Sequence, residues 1–147
     1  MKKKKISASL EDYLEAIFNL ADEFNVARSK DIAERLTVSK ASVTGALRLL
    51  KKKALVNYEP YGYITLTEDG AKTAAEVAKK HKIIESFFVD ILDIDAGTAR
   101  DAACRAEHTL GNDVVSKLMC FVEYVNQHSG SIAEDFRSYC NSSRKVK

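Results

Sequence analysis

Residues 103–108 read Ala-Cys-Arg-Ala-Glu-His, and in a helix Cys104, Glu107 and His108 project from one face within a single turn. Thiolate, carboxylate and imidazole together suit a divalent first-row transition metal and not magnesium or calcium. One turn holds too few donors to retain and sense a metal, so others must come from elsewhere in the chain. Two further clusters stand at helical spacing, Asp12 with Glu15 and His81 with Glu85. A catalytic reading of Cys104 as nucleophile and His108 as base lacks a third orienting group from a distant segment. No glycine-rich phosphate loop or oxyanion motif accompanies the pair either, and we read the chain as not an enzyme.

A second chemistry lies in residues 40–53. As a helix they turn Val43, Leu47 and Leu50 inward and Lys40, Ala41, Thr44, Gly45, Arg48 and Lys52 outward. The outward set is small at its start and basic beyond, which suits a helix whose first turns enter a major groove while later cations meet phosphate. Ser42 and Thr44 have hydroxyls for base edges or phosphates, Ala41 a methyl for thymine, and Lys40 and Arg48 positive charge. Gly45 costs about 1 kcal/mol relative to alanine in a helix, and close backbone approach is one reason to keep it there.

The elements that must carry these residues follow from periodicity. From Ser9, which reads as an N-cap, Leu10, Tyr13, Leu14, Ile17, Leu20, Ala21 and Phe24 form a helical stripe beside Asp12 and Glu15. Two short helical patterns follow, with Ser29 and Ser39 placed as caps, and together they spell a helix-turn-helix. The period then changes: "VNYEP" and "YITLT" read as strands of a hairpin around Pro60-Tyr61-Gly62, a two-stranded wing. Its turn lacks Lys or Arg, so Tyr61 and Tyr63 either touch DNA weakly or pack. Thr67 caps a long helix whose later half is strongly apolar, and helices are expected near residues 96–110 and 113–127, the latter behind an Asn112 cap. "SIAEDFRSYC" gives a short last helix and "NSSRKVK" frays.

Composition bounds the reading. The chain of 147 residues is 46% apolar and 30% charged with one Pro and six Gly, the mix of a helix-rich globular protein. Its net charge of +2 is too small to identify a nucleic-acid partner, so the local pattern has to decide. The run Lys2 to Lys5 is either a phosphate-seeking arm or a solubilising tail. No apolar run reaches signal-peptide or membrane-span length, so a cytoplasmic protein with no membrane partner is expected. Cys104, Cys120 and Cys140 are odd in number and lack a disulfide-framework spacing, which favours reduced thiols.

In order along the chain, "EDYLEAI", "SKDIAERLTVSKASVT", "YITLTEDG", "KKHKIIESFF" and "CRAEH" resemble the metal-dependent transcriptional repressors, the family of the diphtheria toxin repressor and the manganese transport regulator. The resemblance covers residues 7–128. It implies a mainly α fold of short, two-domain type: a winged helix-turn-helix DNA-binding domain over residues 1–72, then a helical metal-binding and dimerisation domain over residues 73–147. It implies metal ligands at Asp12, Glu15, His81, Cys104, Glu107 and His108. Glu85 is less firmly placed, because Arg100 stands where the iron branch has the histidine of an ancillary site. The iron branch carries methionine at the position of Asp12 and the manganese branch glutamate at that of Cys104, so this chain mixes the two. Ferrous iron is the expected metal, with manganese the alternative. The activity implied is that of a homodimer, activated by a divalent transition metal, that binds palindromic double-stranded operator DNA and represses genes for iron or manganese uptake. A rival reading keeps the DNA binding and makes Cys104 or Cys140 a redox sensor without metal.

Overall fold

The computed structural model describes residues 5–128 and 131–144 and divides into two compact units, Met1–Ala78 and Lys79–Lys147. Lys2 to Lys4 and the last three residues of the "NSSRKVK" tail lie outside the described residues.

The first unit contains helices α1 (Ala8–Phe24), α2 (Ser29–Leu36) and α3 (Lys40–Lys52), strands β1 (Val56–Asn57) and β2 (Thr65–Leu66), and the first turns of α4 (Glu68–Ser86). Helix α1 begins earlier than the Ser9 cap predicts: Ser7 is the cap, its hydroxyl accepting from the Leu10 amide at 3.2 Å, and Ile6 packs on the core just ahead of it. The α1 stripe buries Leu10, Tyr13, Leu14, Ile17 and Leu20, whereas Phe24 at its end is exposed. Ser29 is likewise the first helical residue of α2 and not its cap. The cap position is Arg28, held extended and without a side-chain bond, because Ala27 just before it pairs with Ile64 of the hairpin.

Thr37 closes α2 in the left-handed region at φ 54, with its N–H on the Ala33 and Glu34 carbonyls. Ser39 then caps α3 through the Ser42 amide at 3.1 Å, as its sequence position predicts. Ile32 of α2 and Val43, Leu47 and Leu50 of α3 join Leu14 and Ile17 of α1 in one core. The hairpin pairs Val56 with Leu66 and Asn57 with Thr65, and Ile64 extends the pairing by donating to the Ala27 carbonyl at 2.9 Å. Lys51 on α3 reaches Glu59 at 2.9 Å and so ties the wing back to the helix.

Thr67 caps α4 through the Gly70 amide at 3.0 Å and donates its hydroxyl to the Ala54 carbonyl. Gly70 is required by close approach, since a Cβ there would stand 1.8 Å from the Leu55 carbonyl oxygen.

In the second unit α4 widens at its end into a five-residue π-helical segment, Phe87–Ile91, where the sequence pattern reads as uninterrupted α-helix. Helices α5 (Ala96–Ala106), α6 (Asn112–Gln127) and α7 (Ser131–Arg144) pack on that segment. Ile91, Val122, Val125 and Ala133 form the centre of this core, flanked by Phe87, Leu92 and Ile132. Arg137 of α7 donates to the Asp90 carbonyl at 2.6 Å and ties the last helix to the π-turn. Asp95 caps α5 through the Thr98 amide at 3.0 Å, while Gly111, not Asn112, holds the cap position of α6. No described helix is long and apolar enough to cross a membrane.

Candidate metal centre

The centre of the second unit is built around Glu107. It closes α5, its N–H on the Ala103 carbonyl, and it is the buried charged residue among those described, 2% exposed. Ala99 and Ala103, small and fully buried, keep α5 close to its neighbours on the same side. One carboxylate oxygen, Oε2, lies 2.7 Å from Nδ1 of His81. The other, Oε1, is 3.3 Å from Nε2 of His108, near enough for an ion pair, yet it has no hydrogen-bond partner among the described residues. A buried carboxylate oxygen without a donor is costly, and a cation is the partner that removes the cost.

His81, on α4, is bracketed by carboxylates. Its Nε2 lies 2.9 Å from Glu85 one turn later while its Nδ1 lies 2.7 Å from Glu107. Glu85 also stands 4.0 Å from the Arg100 guanidinium, so an arginine occupies the surroundings in which the resemblance implies a histidine partner.

Sulfur of Cys104, a carboxylate oxygen of Glu107 and a ring nitrogen of His108 all lie within 4.8 Å of one another. The second unit therefore brings His81, Cys104, Glu107 and His108 together, with Glu85 behind His81. Asp12 and Glu15 belong to the first unit, half-buried and one turn apart on α1. Sulfur, imidazole nitrogen and carboxylate oxygen in one buried cluster fit an intermediate divalent metal and not a hard one.

The DNA-directed residues occupy one element. On α3 Lys40, Ala41, Ser42, Gly45 and Arg48 are exposed and Thr44 is half-buried, its hydroxyl donating to the Lys40 carbonyl at 3.0 Å. Ser42 shares a 2.9 Å hydrogen bond with the capping hydroxyl of Ser39, so two hydroxyls sit side by side at the start of the helix. Among the described residues nothing beyond the backbone of its own helix and its chain neighbours lies within 4 Å of a Cβ built on Gly45, so the fold itself does not require glycine there. Sequence reasoning missed Arg28, whose guanidinium lies 5.3 Å from the centroid of the Tyr63 ring. No local motif reveals that contact; it follows from the pairing of Ala27 with Ile64.

Known proteins are similar to this chain in sequence and fold. The N-terminal DNA-binding domain of the iron-dependent repressors matches residues 5–64, and their metal-binding and dimerisation domain matches residues 67–132. An uncharacterized HTH-type transcriptional regulator of Methanocaldococcus jannaschii is 39% identical over 119 residues, 80% of this chain and 95% of the relative. Among solved structures, the manganese regulator SloR superposes with a TM-score of 0.70 at 30% identity, over 78% of this chain and 54% of its own. This chain thus spans about half the length of that regulator. A hypothetical protein of Sulfolobus solfataricus, SSo2273, matches with a TM-score of 0.58 at 25% identity, over 80% of this chain and 89% of its own.

Proposed function

Since this chain belongs to the iron-dependent repressor family, whose members are transcriptional regulators and not enzymes, we propose that it is a metal-activated repressor that binds palindromic operator DNA as a homodimer. The observation that carries the metal half of this reading is Glu107: a fully buried carboxylate between His81 and His108, with one oxygen lacking a donor among the described residues. Cys104, His108 and Glu107 would hold the ion together with His81, and Asp12 and Glu15 of α1 would complete the set, with Glu85 in support. A bound divalent ion supplies positive charge that offsets these carboxylates. With candidate ligands on α1 as well as on the later helices, loading would favour one attitude of the winged domain. Ferrous iron is the proposed metal, because the Cys104 thiolate is softer than manganese prefers, and manganese is the alternative because Asp12 and Glu15 add hard oxygens.

The chain's own residues do the rest. Ser39 and Ser42 present hydroxyls at the first turn of α3, Ala41 and Gly45 leave that turn low in profile, and Lys40 and Arg48 supply charge for phosphate. In a homodimer two such helices read successive major grooves about 34 Å apart. Val114, Phe121 and Tyr124 are exposed on α6, apolar surface of the kind that a second copy covers. The proposed domains run from 1 to 72 and from 73 to 147, the genes controlled are those for uptake of the metal sensed, and the place of action is the cytoplasm.

The test is an anaerobic titration of metal-free protein with iron, manganese, zinc and cobalt, reading duplex affinity at each. Metal should raise affinity for a selected duplex, and His108→Ala should abolish the rise. A protein whose duplex affinity no metal changes, or whose response follows thiol oxidation and ignores His108→Ala, would overturn the reading.

A further inference from the structure

The wing contains no Lys or Arg of its own at its turn, yet the structure brings a cation to it. Ile64 of the hairpin donates to the Ala27 carbonyl at 2.9 Å, and this pairing fixes the next residue, Arg28, in an extended conformation at φ −124, ψ 149. Its guanidinium lies 5.3 Å from the Tyr63 ring centroid. Stacking on a ring spends none of the five N–H donors, and Arg28 has no ion pair with a described carboxylate. The group is exposed, oriented and unspent.

Its surroundings are those of a contact site. Arg28, Ser29, Tyr61, Gly62 and Tyr63 line an open hollow of about 540 Å³ beside the wing turn. Tyr61 is fully exposed and holds φ 63, a left-handed backbone that a bulky residue rarely adopts. The turn from Glu59 to Gly62, closed by the Gly62 amide on the Glu59 carbonyl at 2.9 Å, sets that backbone and leaves the ring in solvent. Strained, exposed residues of this kind collect where a partner binds.

We propose that this hollow takes one phosphodiester of the duplex backbone on each protomer. The Arg28 fork faces the two non-ester oxygens, the Tyr63 ring holds the guanidinium plane, and the Ser29 and Tyr61 hydroxyls are the remaining donors. A planar guanidinium held over an aromatic ring matches phosphate better than a mobile lysine does. The contact is sequence-independent and places the wing, while α3 does the reading. It rests on the reading of the chain as a duplex-DNA binder and adds an anchor outside α3.

The test uses the full, metal-loaded protein with two duplexes, one enriched from random-sequence DNA by the wild type and one unrelated. Affinities are measured over a range of salt concentrations. Arg28→Gln should weaken both duplexes by the same factor, about tenfold, and lower the slope of log affinity against log salt by about one per protomer. Tyr63→Leu, which keeps the charge but removes the stack, should lower affinity while the slope holds, and Arg28→Lys should fall between wild type and Arg28→Gln. Cobalt binding, followed by its absorption spectrum, should be the same in all. An Arg28→Gln protein with unchanged affinity and slope would overturn the proposal, as would a loss confined to the enriched duplex, which marks a base contact. If the wild type binds no duplex under any metal, the DNA-binding reading itself fails, and that outcome is distinct from a silent Arg28.

Discussion

At the scale of residues, Glu107 and Cys104 divide the labour of the proposed centre. Glu107 is fully buried with an oxygen lacking a hydrogen-bond donor, so neutralising it removes a charge that metal-free folding must bury. Glu107→Gln should therefore lower metal affinity about 10- to 100-fold, read by competition with a chelating dye. In the proposed centre Cys104 would set the choice of metal. Cys104→Glu exchanges a soft donor for a hard one, and the ratio of manganese to iron response in duplex binding should rise. Sequence spacing made these residues legible, because each cluster lies on one helical face at intervals of three or four. Complete burial of Glu107 beside a half-buried Cys104 was not legible, for it depends on how the alanines of α5 seat against other helices. Arg28 was invisible for a similar reason, since its partner ring stands 35 residues further along the chain.

At the scale of elements, the helix that carries Cys104 depends on an acidic cap. The Thr98 amide and hydroxyl hold the Asp95 carboxyl below its usual value of 3.8, with a smaller contribution from the Gly97 amide. A depressed carboxyl contributes stability that is fully present above the unfolded value and is lost as pH falls through the folded one. Asp95→Ala should lower Tm at neutral pH, and the gap to wild type should close progressively below about pH 4 in thermal melts followed by circular dichroism. The junction of wing and α4 depends on closeness instead. A methyl at Gly70 would meet the Leu55 carbonyl at 1.8 Å, so Gly70→Ala should cost about 1–3 kcal/mol in urea denaturation even though alanine is the better helix former. Helix-turn-helix, wing and the later helices could be read from period and turn residues. Starts were misjudged where tertiary pairing set them, as at Ser29, where Ala27 is held by the hairpin. The π-turn was hidden because its apolar residues fit an α-helical stripe equally well over one turn.

At the scale of the whole molecule, the proposed homodimer would bring to DNA a pair of winged units whose separation a palindrome must match. For the proposed homodimer, metal-dependent affinity should peak when the half-sites are centred about 10–10.5 base pairs, or a multiple of that, apart. Inserting half a turn between them should abolish it, which electrophoretic mobility shifts on a spacer series would measure. The core of the first unit has a mechanical consequence. Leu14 and Ile17 of α1, Ile32 of α2, Leu47 and Leu50 of α3 and Ile64 of the wing share one interior, and a dense core of this kind transmits strain more than it absorbs it. Asp12 and Glu15 lie on the same rod that forms one wall of that interior. A pull on those two carboxylates would pass to α3 and the wing together, as a stiff lever turns with its handle.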